Sequence, residues 1–488
     1  MTVLNQAEML QTHSAVLVFF GDRAYKLKKP VDLGFVDYRR RADRFRACHR
    51  EVRLNRRLAP DVYLGVADVL GPDGLPCDHM VLMRRMPAGR RLSTLVRQGA
   101  PVDGELRRLA RVLAAFHGAA RRGPAIDEEG DRAGLRGRWD TAFGQLRRFH
   151  GGVLDEDAAA EVQWRVHEFL DGRDRLFTDR IGRGRIVDGH GDLVADDIFV
   201  LDDGPRILDC LEFDDRLRYL DGLDDAASLA IDLEHLGARV PARRFLDWYA
   251  QFSGDPAPEP LRRHYLAYRA FDRARLACLR HEQGDPDAAA DVASYIGLTL
   301  RHLRAGTARM ILLGGPAGAG RTDLAGRLAD RLGATVLSSD RIRRELAGLD
   351  PATSAAAGFG QGVYTREWTD RTYAELCWRA RHLLQYGQSV ILEASWARDR
   401  HRRGVRALAS CTHSALTELR CAAPAPAVRR GAPAGGFPDA DALIAGLLAS
   451  EADDWPEARE IVSGPGTDDV ADALSAVDGD RPAVAAGR

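Results

Sequence analysis

Lysine is almost missing from this sequence. Of its 70 lysine and arginine residues only Lys26, Lys28 and Lys29 are lysines, so 67 are arginines. An ammonium is a compact, strongly hydrated point charge and a guanidinium is a planar fork, so the two are not interchangeable. Three lysines confined to one tetrapeptide of an arginine-based chain therefore mark a place that calls for a compact cation. An excess of one charge sign is missing too: 71 acidic residues offset the bases and leave a formal net charge of −1 over 488 residues. Bases and acids are interspersed, as in 131–140, with no basic aromatic groove, which excludes nucleic acid as the expected partner. No apolar run approaches the ~18–20 residues of a membrane span, and the start, Met1 to Glu8, has neither the basic beginning nor the apolar stretch of a signal peptide, so a cytoplasmic protein is expected. The seven cysteines (Cys48, Cys77, Cys210, Cys278, Cys377, Cys411 and Cys421) are scattered, odd in number and never spaced C-x-x-C, which excludes a disulfide framework or a zinc ribbon.

What is present is ordinary globular composition, 45% hydrophobic and 29% charged, enough for two to four domains at roughly 150 residues each. Ser14 to Phe20, the turn signal Gly21-Asp22 and the alternating Ala24 to Lys28 predict a β-hairpin. A helix is expected from about Arg39 to Leu58, then strands over Tyr63 to Leu70 and His79 to Arg84 around Gly71-Pro72-Asp73-Gly74. Residues 103–180 read as mostly helical, 184–213 as β-rich, and 221–304 as helical again. Near 305 the texture changes: Arg309 to Leu313 runs straight into a glycine-rich loop and a helix, and short apolar runs at 335–337, 389–392 and 415–421 then alternate with helices, the texture of a parallel sheet. Two domains are expected, 1–305 and 306–488, with 422–437 and the tail beyond about 464 poorly ordered.

The first chemical constellation is His190-Gly191-Asp192-Leu193 ahead of one apolar run, with Asp209 closing another, Ile207 to Cys210. Phosphoryl transfer from ATP needs one carboxylate to orient the attacking hydroxyl and accept its proton, and another to hold Mg²⁺ against the phosphates. Asp192 and Asp209 supply the pair. A strand lysine braced by a helix glutamate would complete the set. Lys26 with Glu51 fits, and Lys28 projects to the same strand face, so alternation leaves both open.

These residues make 12–300 resemble the aminoglycoside phosphotransferase and protein-kinase-like superfamily. The resemblance implies a bilobal kinase-like fold, with Asp192 as catalytic base, Asp209 as Mg²⁺ ligand, Lys26 or Lys28 on the phosphates with Glu51 as partner, Arg84 to Pro87 as hinge, and Asp225 as the acid that braces the catalytic loop. It also marks a departure. The family pattern H-G-D-L-x-x-x-N ends on a Mg²⁺-binding Asn, and the eighth position here is Asp197, an equally hard oxygen ligand of higher charge. Glu212, Asp214 and Asp215 read as solvated or structural acids.

The second constellation, Gly315-Pro316-Ala317-Gly318-Ala319-Gly320-Arg321-Thr322, follows a strand and opens a helix. It matches G-x-x-x-x-G-K-[ST] except that Arg321 replaces the lysine. Gly315, Gly318, Gly320, Arg321 and Thr322 are the expected phosphate-binding residues, with Thr322 also on Mg²⁺. This half resembles P-loop small-molecule kinases, a three-layer α/β NTPase fold with a parallel sheet, which implies Asp340 as a second catalytic base, Glu393 at a Walker-B-like place, and Arg429-Arg430 as lid arginines. The whole chain resembles bacterial bifunctional aminoglycoside phosphotransferase/ATP-binding proteins. The expected function is ATP- and Mg²⁺-dependent phosphorylation of a hydroxyl on a small molecule, with a second nucleotide site of degenerate Walker A. The contrasting expectation is a non-catalytic nucleotide sensor.

Overall fold

The computed structural model describes residues 8–12, 14–32, 34, 36–316, 319–349, 362–422 and 452–461. The chain divides into two compact units, the first of Met1–Ala158, Phe177–Ala257 and Tyr265–Thr299, the second of Ala159–Leu176, Pro258–His264 and Leu300–Arg488. Where the texture of the sequence suggests one cut near 305, the packing thus adds two earlier segments to the later unit. Cys48, Cys77, Cys210, Cys278, Cys377, Cys411 and Cys421 are all free thiols. Among the described residues no helix is long and apolar enough to cross a membrane.

The first unit opens with β1 (Glu8–Gln11), β2 (Ala15–Phe20) and β3 (Arg23–Lys28), then α1 (Arg41–Asn55), β4 (Tyr63–Leu70) and β5 (Pro76–Arg84). The five strands form one antiparallel sheet in the order β1-β2-β3-β5-β4. The β2–β3 hairpin closes on Gly21, at φ 59°, and Asp22, with Phe20 opposite Arg23, as the turn signal predicts. On β3 every second side chain shares a face. Ala24 therefore joins a core with Cys48, Val52, Val81 and Met83, and Lys26 and Lys28 point the same way, toward α1. The buried stripe of α1 is Cys48, Glu51, Val52 and Asn55, a helical spacing that carries a carboxylate into the interior. The helix stops three residues short of the expected Leu58.

Helices α2 to α7 follow (Leu92–Arg97, Asp103–Ala119, Pro124–Gly130, Arg132–Leu146, Glu156–Asp171, Asp174–Gly182). The β-rich stretch is β6 (Ile186–Asp188), β7 (Ile198–Leu201) and β8 (Gly204–Ile207). β7 and β8 form a tight hairpin with Leu201 opposite Gly204, and β6 pairs with β9 (Tyr219–Asp221). Helices α8 to α11 (Gly222–His235, Arg239–Ser253, Glu259–Glu282, Ala288–Ala305) come next. An antiparallel sheet carrying one helix, followed by a mainly helical part with two short β pairs, is the kinase-like architecture expected of this half.

The second unit contains β10 (Arg309–Gly314), α12 (Arg321–Leu332), β11 (Thr335–Ser338), α13 (Ser339–Leu346), α14 (Arg366–Leu384), β12 (Val390–Glu393), α15 (Asp399–Cys411), β13 (Ala415–Cys421) and β14 (Arg459–Ile461). Its strands are all parallel, ordered β11-β12-β10-β13-β14. Strand β10 explains why its sequence is apolar throughout: Met310 and Leu312 face a core with Tyr373, Leu376, Val405 and Leu408 of α14 and α15, while Ile311 and Leu313 face Leu324, Ala325 and Leu328 of α12. A sheet covered on both sides is the expected three-layer P-loop fold. The stretch 423–437 and the tail beyond 464 lie outside the described residues.

Candidate active site

Burying Glu51 demands a partner, and the structure gives it two. Its Oε1 lies 2.9 Å from Lys26 Nζ and its Oε2 lies 2.7 Å from Lys28 Nζ. Lys26 Nζ reaches on to Asp209 Oδ1 at 2.6 Å, and Lys28 Nζ to Glu212 Oε1 at 2.5 Å. Both lysines chosen from the sequence are thus used, but differently: Lys26 bridges Glu51 to Asp209, and Lys28 bridges Glu51 to Glu212. The Tyr38 hydroxyl donates to Glu212 at 3.2 Å. Burial alone would lower the Lys26 ammonium, but Asp209, Glu51 and Glu212 outweigh it and hold it well above its usual range. Burial would likewise raise Glu51, and the two ammonium groups pull it below the usual carboxylate range instead. Asp209 follows β8 with φ 63°, a left-handed conformation that Asp adopts more readily than most residues, and its N–H donates to the Tyr63 hydroxyl at 3.1 Å.

The loop after β6 is held from below by Asp225 in the first turn of α8. Asp225 is fully buried and accepts the N–H groups of His190 (2.6 Å) and Gly191 (3.0 Å), with His117 Nε2 at 3.0 Å. Burial would raise this carboxyl, and the hydrogen bond and charge from His117 drive it far below its usual range. Burial lowers the His190 pKa below its usual range, and its contacts fit one tautomer: Nε2–H donates to the Leu208 carbonyl at 3.1 Å and Nδ1 accepts the Asp192 N–H at 3.3 Å. Asp192 is thereby held through its backbone N–H. Its side chain is ion-paired with Arg273 of α10. Asp197, just ahead of β7, is pushed well above the usual carboxylate range, first by burial and then by the charges of Asp209 and Asp192, which Lys26 only partly offsets.

Mutual repulsion among hard oxygen donors is what a divalent cation relieves, so Asp197 and Asp209 fit Mg²⁺. Among the described residues no group of three or more His, Cys, Asp or Glu side chains is arranged to hold a metal. Two carboxylates, with phosphate oxygens and water completing the shell, is the donor count typical of Mg²⁺.

In the second unit the glycine-rich loop joins β10 to α12. Gly315 has φ 129°, and a Cβ there would lie 2.6 Å from the Cys421 carbonyl oxygen, so backbone geometry requires glycine. Gly320, at φ 78°, caps α12, while Gly318 lies outside the described residues. Thr322 Oγ1 donates to Glu393 Oε1 at 2.8 Å, which brings together the hydroxyl and the acid expected beside a nucleotide's metal ion. Arg321 opens α12 with a buried terminal guanidinium nitrogen that has no hydrogen-bond partner among the described residues, an orphan that a phosphate oxygen would satisfy. Asp340 is exposed in the first turn of α13, with no hydrogen bond or ion pair to Arg321, Thr322 or Glu393. Arg429 and Arg430 lie outside the described residues.

Sequence reasoning did not single out Tyr38, Tyr63, Asp232 or Arg273. It read Glu212 as a structural or solvated acid, and its ion pair makes it structural. Nothing local marks Arg273, because one arginine among 67 carries no compositional signal.

Comparison with known proteins bears on the whole chain. It is 44% identical over 461 residues to the Mycobacterium tuberculosis (strain H37Rv) protein called Uncharacterized protein Rv2004c, a match spanning 94% of this chain and 93% of that one. This chain belongs to the family of Rv2004c. Residues 310–433 of this family member match the AAA domain. Solved structures similar to parts of it include a choline/ethanolamine kinase family protein from Mesorhizobium loti (14% identity, 62% of this chain and 92% of that one, TM-score 0.37). Another is a putative kinase from Chloroflexus aurantiacus (18% identity, 34% and 97%, TM-score 0.26).

Proposed function

We propose that this protein transfers the γ-phosphoryl group of ATP, with Mg²⁺, to a hydroxyl of a small molecule in its first unit, and binds a second nucleotide at the P-loop of its second. The observation that carries the reading is the chain of contacts Glu51–Lys26–Asp209 beside an Asp192 whose loop is pinned by Asp225. In this reading Lys26 turns from Asp209 to the phosphates while Glu51 keeps its position. Asp192 orients the acceptor hydroxyl and takes its proton as the acceptor oxygen bonds to the γ-phosphorus. The bond from that phosphorus to the bridging oxygen breaks, and ADP leaves with the electron pair. Asp197 and Asp209 would hold the metal, which would supply positive charge against the phosphate oxygens. At the second site Gly315, Gly320, Arg321 and Thr322 cradle phosphate, with Thr322 and Glu393 on the metal side. Asp340 is the candidate base there.

The test is metal-dependent ATP turnover by the full chain and by Asp192→Ala and Thr322→Ala, with a panel of hydroxylated acceptors. Loss of a positioned base slows such reactions about 10²–10⁴-fold, so Asp192→Ala is expected to fall in that range while still binding ATP. Turnover by Asp192→Ala equal to wild type at saturating substrates would remove the assignment. ATP binding by both units with no turnover by the wild type on any acceptor would favour a nucleotide sensor, a reading to which Asp197 and Arg321, the two departures from active patterns, already lend weight.

A further inference from the structure

The base proposed for phosphoryl transfer is met from one side by an arginine that the rest of that machinery does not use. Arg273 lies on α10 and its guanidinium is ion-paired with Asp192. Four residues earlier on the same helix, and so on the same face, Arg269 donates to the Gly191 carbonyl at 2.9 Å and to Asp224 at 2.7 Å. One arginine thus holds the backbone of the catalytic loop and the next reaches the reactive carboxylate.

Lys26 contacts Glu51 and Asp209, whereas Arg273 contacts Asp192 itself, so an acceptor whose hydroxyl reaches Asp192 also meets the guanidinium of Arg273.

Among the described residues neither Asp232 nor Asp272 hydrogen-bonds that guanidinium, which pairs with Asp192. Asp272 is paired with Arg275 at 2.7 Å. Asp232 accepts the Ala195 N–H at 2.7 Å, and burial raises its carboxyl toward the neutral form. The Arg273 guanidinium donates to Asp192, and a guanidinium has five N–H donors in a fork that matches a carboxylate or phosphate.

We infer that the acceptor of this kinase-like unit carries an anionic group, a carboxylate or a phosphate monoester, close to the hydroxyl that is phosphorylated, and that Arg273 is the specificity-determining residue that binds it. The inference rests on Asp192 being the base. It disfavours polycationic acceptors, since an ammonium beside the reacting hydroxyl would meet Arg273 at close range.

The experiment uses the full chain with Mg-ATP and acceptors matched in size: glycerol, glycerate and glycerol phosphate, a set of larger polyols with their carboxylated and phosphorylated forms, and choline and kanamycin as cations. Turnover is read as ADP release together with ³¹P spectra of the product, and binding by calorimetry with a non-hydrolysable ATP analogue. At least one anionic acceptor is expected to exceed its neutral counterpart by about tenfold or more in kcat/KM, or in affinity where turnover is slow, the range of one well-made charged contact. Arg273→Gln should raise KM for that acceptor about tenfold with kcat changed only a few-fold, and Arg273→Lys should recover part of the loss. Thermal unfolding and ATP affinity of both variants check that the fold is kept. If Arg273→Gln does not fold, the anion preference of Arg273→Lys and of wild type decides the matter alone. A cationic or neutral acceptor preferred over every anionic one, an unchanged preference in a folded Arg273→Gln, or no anionic compound bound or turned over, would overturn the inference. Full activity in Asp192→Asn on the same panel would instead overturn the assignment of the base.

Discussion

Asp197 is a carboxyl among carboxyls, standing where the family pattern has an amide. Its folded-state pKa lies well above the ordinary value of 3.8, so the folded protein favours its protonated form more than the unfolded chain does. The sign follows by linkage: the group costs nothing below about pH 4, and stability is lost as the pH rises from there through the raised value. Asp197→Asn keeps the shape and removes the charge. Without metal, variant and wild type are expected to unfold at the same temperature near pH 4 and the variant at a higher temperature by about pH 7–8, with Mg²⁺ plus nucleotide narrowing the gap. Thermal melts across that range check this, and midpoints that coincide at every pH would show that Asp197 carries no such burden. The same substitution should weaken the pH dependence of apparent Mg²⁺ affinity, because no proton then has to leave for the metal to bind.

Among the elements, Arg180 on α7 ties three of them together. It is buried and forms paired hydrogen bonds to Asp221 at the end of β9 (2.7 Å each) and to Asp255 in the connection after α9 (2.6 Å each). Removing one partner of such a set strands the others, at a cost of about 3–5 kcal/mol. Arg180→Met should lower the unfolding free energy of the first unit by that amount in urea, and a change below about 1 kcal/mol would show that water replaces the guanidinium freely. Elements like β2–β3, β7–β8 and β10–α12 were legible in the sequence because their signals are local: Gly21-Asp22 and Asp202-Asp203-Gly204-Pro205 are turn signals, although Gly204 and Pro205 prove to pair within β8, and Gly315 and Gly320 adopt conformations that only glycine accepts cheaply. Lys26, Glu51 and Asp225 were legible through the spacing of a known pattern. The partners Arg273, Arg269, Asp232 and Glu212 were not, because they meet their contacts only across 81, 78, 37 and 184 residues of sequence, and arginine is the chain's default base.

At the scale of the whole molecule the arginine bias and the kinase-like architecture meet. Each unit draws on three separate stretches of chain, so the second is not simply everything after residue 305. Within it, Arg173 from the early segment is buried and donates to the Thr412 carbonyl at 2.6 Å. Cutting the chain near 305 would leave that cation without its acceptors, which is why each experiment above uses the full chain. The three lysines have a practical consequence as well. Lys28 is 2% exposed and locked between two carboxylates, and Lys29 Nζ donates to the Thr12 carbonyl at 2.6 Å. Lys26, beside the expected phosphates, is the amine an electrophile delivered by a nucleotide would meet, and the corresponding position of the other site is Arg321, which does not acylate. An ATP analogue carrying an acyl phosphate should therefore modify one residue in 488. Mass spectrometry is expected to find Lys26 acylated, protected by excess ATP and silent in Lys26→Arg, whereas labelling at Lys29 alone would place the nucleotide elsewhere. A chain nearly devoid of amines thus carries its own single-site reporter, one that reads the occupancy of the kinase-like unit without interference from the P-loop.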